Sequence, residues 1–196
     1  MNLVEMRARV REDLQDTDSQ DYRWTDDEID GAIQRVVDEY SLRAPIQQQT
    51  DLATTDGDTE VDISTLTGIV KVETVEFPIG ETPRNFQRFD YWAGALYMQD
   101  EGDGTDARVR WLKKHTLALA STTIPVHHDE IIVLGATGYL AMSASANTVD
   151  RAFIAGHYGT VSYREWAVER LKRYDQRLKQ LPQVSRINQR QLYTEE

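Results

Sequence analysis

The chain of 196 residues contains no cysteine. That excludes disulfides, cysteine-ligated zinc and thiol nucleophiles. It gives no sign of secretion and is compatible with an intracellular life. Lysine is also scarce, at 5 residues against 17 arginines, whereas aspartate supplies 19 of the 33 acids. No apolar run approaches the ~18 residues that span a bilayer; residues 131–136 form the longest and read as a buried segment. Glu5, Arg7 and Arg9 fall where a signal peptide would carry its apolar region. A glycine-rich phosphate loop, a Gly-x-Ser-x-Gly elbow and a His-x-x-x-His pair are all missing.

What is present belongs to a globular protein: 40% hydrophobic and 28% charged residues. The length fits one domain with one sizeable insertion. The net charge of -11 is uneven. Residues 151–196 hold nine basic and five acidic residues (+4), which leaves -15 for the remainder. An acidic body opposes wrapping by nucleic acid. The basic C-terminal segment is either a solvated helix laced with i,i+4 pairs or a patch that meets an acidic partner. Abundant Asp with little Lys resembles proteins of salt-loving organisms, in which high charge maintains solubility under strong screening.

Periodicity places the elements. Leu3, Met6, Val10 and Leu14 recur at helical spacing and predict a helix over 2–16. Thr25-Asp26-Asp27-Glu28 has the form of a capping box and starts a second helix. Ile29, Ala32, Ile33, Val36, Val37 and Tyr40 form its apolar stripe, and Pro45 ends it. Trp24, just before the cap, is placed to staple onto Ile29. Over 46–117 the pattern becomes alternating, at 60–63, 70–77 and 107–112, with a further group at Phe86, Phe89, Tyr91, Trp92 and 95–98. Residues 101–104 read as a hairpin turn and 117–120 as a last strand. Helical pattern resumes at His128 or Asp129 and runs to about Ser145, with a break expected at 146–148. Small residues including Gly135, Gly138 and Ala141 point to close approach of another backbone. A long helix over 161–181 carries a heptad-like seam of Val161, Val168, Leu171, Tyr174, Leu178 and Leu181, and Pro182 stops it. Residues 183–196 form an arm or tail with no core face of its own.

Candidate chemistry is sparse. His127-His128-Asp129-Glu130 is the one cluster with metal-ligating residue types, but no third ligand follows at suitable spacing, and capping of a helix N-terminus explains it. His157 lies near Tyr158 and Ser162 without a triad pattern. Phe86, Phe89, Tyr91, Trp92, Tyr97 and Trp111 admit two readings, a base-stacking platform or packing of the β-region. Their acidic neighbours Asp90, Asp100, Glu101 and Asp103 favour packing. No catalytic, metal or cofactor site is expected.

The run from Trp24 to Ile33 with Val36, Val37, Glu39 and Tyr40 resembles the opening of the head–tail connector (adaptor) proteins of tailed viruses. Ile124-Pro125, Asp129-Glu130-Ile131-Ile132-Val133 and Gly138-Tyr139-Leu140 are similar to its later part, and the charged helix with Tyr174 and Leu178 closes the likeness. It covers roughly 1–45 and 124–181. The resemblance implies a mainly α, α+β fold. In it an N-terminal helical pair (1–45) and two C-terminal helices (123–182) form a four-helix core, around an inserted antiparallel β-domain (46–122) and an extended arm (183–196). It implies a structural virion protein of the neck, assembled in the host cytoplasm as a ring, usually dodecameric, beneath the portal. The ring would bind the portal and a downstream neck or tail protein. DNA would pass its lumen without sequence-specific binding, and no membrane would be involved. Ile29, Ile33, Val36, Tyr40, Val168, Leu171, Tyr174 and Leu178 would pack helices or subunits, and Arg186, Arg190, Leu192 and Tyr193 would engage the portal. Other readings are a stopper or tail-completion protein, a non-viral acidic protein-binding module, and an enzyme with an unrecognised site.

Overall fold

The computed structural model describes residues 1–155 and 163–182, with the backbone alone for 146–155 and 163. The described residues form an α+β fold, with four helices and antiparallel sheets among them. The chain divides into two compact units, Met1–Ala44 with His115–Pro182, and Pro45–Lys114. The stretch 115–122, which the sequence assigns to the insert, groups with the first unit. Among the described residues no helix is long and apolar enough to cross a membrane.

The first unit holds α1 (Leu3–Asp13), α2 (Asp26–Arg43), a 3-10 turn at Val126–His128, α3 (Asp129–Ala155) and α4 (Tyr163–Gln180). Both N-terminal helices start with reciprocal capping boxes. Asn2 accepts from the Glu5 N–H and Thr25 from that of Glu28, while each glutamate reaches back to the cap. Arg11 locks the intervening loop. Its guanidinium donates to Asp16 (2.6 Å), Asp26 (2.7 Å) and the Trp24 carbonyl (3.0 Å), and it lies 3.6 Å from the centre of the Tyr22 ring. The buried cluster combines Met6 and Val10 of α1, Ile29, Ile33, Val36 and Tyr40 of α2, Ile132, Ala136 and Leu140 of α3, and Tyr174 of α4 with Leu181 beyond it. Trp24 is buried in the same cluster as Ile29.

Two expectations fail here. No break occurs at 146–148, because α3 continues to Ala155. Ala146 favours a helix, Asn147 and Thr148 are only mildly unfavourable in one, and neither glycine nor proline is present to stop it. Residues 117–120 form no strand; Leu117 makes an isolated bridge to Thr122, and the Ala118 carbonyl accepts from the Leu3 N–H at the start of α1.

The second unit contains β1 (Ile46–Ala53), β2 (Glu60–Asp62), β3 (Ile69–Glu76), β4 (Phe86–Gln87), β5 (Phe89–Trp92), β6 (Ala95–Met98) and β7 (Asp106–Lys113). One sheet has the order β1-β7-β3-β4 and the other β2-β6-β5, all antiparallel. Val61 and Leu96 from the second sheet and Val72, Val75, Val109 and Trp111 from the first share one buried cluster. Residues 101–104 are not a hairpin turn, since β6 and β7 lie in different sheets. The segment instead docks on the 54–58 loop. Gly102 donates to the Asp58 carbonyl at 2.7 Å, and a Cβ at Gly102 would stand 2.6 Å from the Thr55 oxygen. The hairpin turn lies earlier, at Ala93-Gly94, where both residues have positive φ (49° and 88°), as a two-residue type I′ connection between β5 and β6 requires.

Candidate docking surfaces

Within the first unit, Ile29, Ile33, Val36, Tyr40 and Tyr174 are buried inside the chain, and Leu171 and Leu178 are half-buried. These residues therefore pack helix on helix within one chain. Val168 does not join them; it is 50% exposed. The inward row is instead Ala167, Leu171, Tyr174 and Leu178 of α4, continued by Leu181 just beyond it, at alternating spacings of four and three. The sequence seam is one residue out of phase at this point, because the small Ala167, fully buried, takes the inward position that the more hydrophobic Val168 would suggest for itself. The same tightness appears on α3. A Cβ at Gly138 would lie 2.8 Å from Leu171 Cδ2, and one at Gly135 would lie 3.0 Å from the Tyr174 ring. The close approach read from the small residues is thus contact with α4 and α2 side chains.

Glu39 ties three helices. Its carboxylate accepts from the Tyr139 hydroxyl at 2.8 and 3.0 Å and from the Tyr174 hydroxyl at 3.2 Å. Burial, then the Glu39 charge, pushes the Tyr174 phenol above its ordinary range; Tyr139 moves the same way through burial and its bond to Glu39. Arg35 covers the Tyr139 ring at 3.8 Å. Arg43 donates to the Leu178 and Lys179 carbonyls (3.3 and 3.0 Å), closing the C-terminal end of α4.

The histidine cluster of the sequence is divided among structural tasks. Asp129 is buried and takes the Met1 ammonium at 2.7 Å. His128 Nδ1 lies 2.6 Å from the Tyr40 hydroxyl. Burial and the Asp129 charge push that phenol up to about 12, so it keeps its proton. His115 bonds the Ala44 carbonyl through Nε2 (2.8 Å), and the Ser41 hydroxyl donates to the Val37 carbonyl while accepting from the His115 N–H. No serine–histidine–carboxylate relay arises from these bonds among the described residues. Nor do three or more metal-ligating side chains converge there.

Among the described residues two surfaces are left unmatched. One is a half-open groove of about 780 Å³ in the first unit, between the 3-10 turn and start of α3 on one side and α4 on the other. Ile131, Leu134 and Leu181 give it an apolar floor, and Arg170, Arg173, Arg177 and His127 a basic rim. Arg170 is held by Asp13 (2.6 Å) and Arg173 by Glu169 (3.0 Å), while Glu130, also on the rim, lies 3.6 Å from Arg9. Arg177 has no ion pair or hydrogen bond among the described residues.

The other surface is the β5–β6 hairpin. Trp92 is 74% exposed, Tyr91 53% and Tyr97 37%. The register puts Trp92 opposite Ala95 and Tyr97 between Asp90 and Glu60, so carboxylates interleave with the outward aromatics. This corrects the packing reading for these three residues. Only Trp111 of the six is buried, with Phe86 and Phe89 half-buried. Leu96, Met98 and Phe89 turn one face of the three-stranded sheet to the buried cluster, and Tyr97 and Trp92 lie on the other. Nothing in the sequence separated the aromatics that face the core from those left exposed, because Tyr91 and Trp92 are consecutive and both are exposed.

Arg186, Arg190, Leu192, Tyr193, His157, Tyr158 and Ser162 lie outside the described residues. No protein-family model matches the chain, and a search among curated proteins finds no match.

Proposed function

We propose that the protein is a head–tail connector: a structural virion protein whose copies form a ring, of twelve in the usual case, beneath the portal. The observation that carries this reading is the chain order. Two capped helices, α1 and α2, precede a β-unit, and α3 and α4 follow and rejoin the first pair in one buried cluster. In this reading the four helices are the subunit core, the β-unit is an insert that varies between such proteins, and the segment 183–196 with Arg186, Arg190, Leu192 and Tyr193 engages the portal. The acidic balance of -11 suits a channel along which phosphate slides without adhering. The partners are identical neighbours, the portal and a tail-side neck protein, all in the virion neck.

A stopper or tail-completion protein is the second reading. Such proteins are richer in strand, and the length of α3, at 27 residues, favours the connector. Electron microscopy of negatively stained protein, alone and mixed with portal, tests the proposal. Annular particles, free or on the portal, are expected. A particle that stays monomeric in both samples would overturn it. Deleting residues 183–196 should abolish portal binding and leave the subunit folded.

A further inference from the structure

The two unmatched surfaces are complementary in shape and charge. The groove is apolar at its floor and basic at its rim; the hairpin tip is aromatic at its apex and acidic along its outward face. We propose that the β5–β6 hairpin of one copy docks in the α3–α4 groove of the next copy, a head-to-tail contact that rests on the ring reading above.

The chemistry matches residue by residue. Trp92 at the tip is an apolar knob for the floor of Ile131, Leu134 and Leu181. Asp90, beside it on the same strand, supplies a carboxylate for Arg177, the rim cation without a partner among the described residues. The guanidinium groups also present flat faces to the rings of Trp92 and Tyr97, which share the face of Asp90. Arginine serves both roles where lysine would not, since it stacks and bonds carboxylates in a fork. Apolar and stacking contact also persists in strong salt, where purely ionic docking fades.

The symmetry is consistent. Different patches meet, so the contact is heterologous, and repeated head-to-tail contacts close into a ring when the rotation per copy divides a full turn. Two aromatic side chains bury about 300–500 Å², less than the roughly 800 Å² per partner of a standard interface. The hairpin is therefore the anchor of a larger contact and its centre of affinity.

The absence of cysteine makes the test clean, because every crosslink formed is an introduced one. Ala93→Cys at the tip and Gln180→Cys on the groove are made in separate chains, mixed and oxidised. A disulfide-linked dimer of one of each is expected, and the double variant should give closed multiples of the subunit. Ala93→Cys mixed with Ser19→Cys serves as control. In sedimentation, Trp92→Ala and Arg177→Glu should each weaken self-association at least tenfold, and Asp90→Arg with Arg177→Glu should recover most of it. Rings that form without the Ala93–Gln180 crosslink, or a control crosslink of equal yield, would overturn the docking and leave the connector reading standing. Preferential crosslinking of Gln180→Cys to Leu192→Cys would assign the groove to the C-terminal segment instead. A chain that never self-associates, alone or on the portal, overturns both.

Discussion

Gly135 faces Val36 so closely that a Cβ at Gly135 would stand 2.9 Å from both Val36 methyl carbons. Val36 is fully buried and β-branched, so it has little freedom to move aside. Gly135→Ala gains about 0.8–1 kcal/mol of helix propensity and meets an overpacking cost of about 1–3 kcal/mol. A net loss of about 1 kcal/mol is expected in urea unfolding. Gly138→Ala should cost less, because its obstacle is the half-buried and more flexible Leu171. Gly31→Ala, an exposed helical site with nothing within 4 Å, should stabilise by about 0.5–1 kcal/mol. If all three changed stability in the same direction, close packing would not be what selects glycine at 135.

Glu39→Ala removes the acceptor shared by Tyr139 and Tyr174. Tyr174 is buried and its hydroxyl would lose its bond, so a loss of about 1–3 kcal/mol is expected. Glu39→Gln keeps an acceptor oxygen and should cost less than half as much. Tyr174→Phe in the Glu39→Ala background should add little further loss. Additive losses in that double variant would show that the two residues act independently.

How far these relationships were legible in the sequence depends on whether they are local. The Thr25–Glu28 cap and the stripe from Ile29 to Tyr40 were readable because capping and 3.6-residue spacing concern neighbours in the chain. β1 was not, since Gln47-Gln48-Gln49 shows no alternation; its partner β7 makes it a strand. The 101–104 crossover needs the knowledge that β6 and β7 pair elsewhere. At α4 the choice between Ala167 and Val168 turns on the space left by α3, which only the fold defines. Glu39 as a hub joins residues 100 and 135 positions away, and the groove brings residues 127–134 against residues 170–181.

His128 gives a pH dependence of known sign. Burial, then the neighbouring His127 and His115, hold its pKa below the ordinary 6.5, with Asp129 opposing. The unfolded chain then binds the proton more tightly than the folded one. Stability from this group is complete above about 6.5 and falls as the pH drops below it. In the protonated ring both nitrogens are donors, so the contact with Tyr40 would then require the hydroxyl to accept. Between pH 7.5 and 5.5 the urea midpoint should decline, and His128→Asn, whose amide oxygen can still accept from Tyr40, should decline less. Identical declines in the two proteins would exclude His128 as the source.

Salt tests the meaning of the acidic surface. Asp18, Asp21, Asp27 and Glu28 are exposed together around the start of α2, in a chain of net charge -11. Their repulsion acts across several ångströms, and raising ionic strength from 0.1 to 1 M shortens the screening length from about 10 to about 3 Å. Arg7 with Asp30 at 2.6 and 2.9 Å, and Arg11 with Asp16 at 2.6 Å, are contact pairs, the second buried, and are screened far less. Exposed pairs such as Arg173–Glu169 contribute about 0–1 kcal/mol each and lose little in total. Relief of repulsion therefore wins, and the urea midpoint should rise steadily with potassium chloride. A triple variant, Asp18→Asn, Asp21→Asn and Asp27→Asn, should start more stable in dilute buffer and respond less to salt. A wild-type midpoint that is flat or falls with salt would mean that ion pairing, not self-repulsion, governs this surface, and would remove the physical basis for a salt-adapted origin.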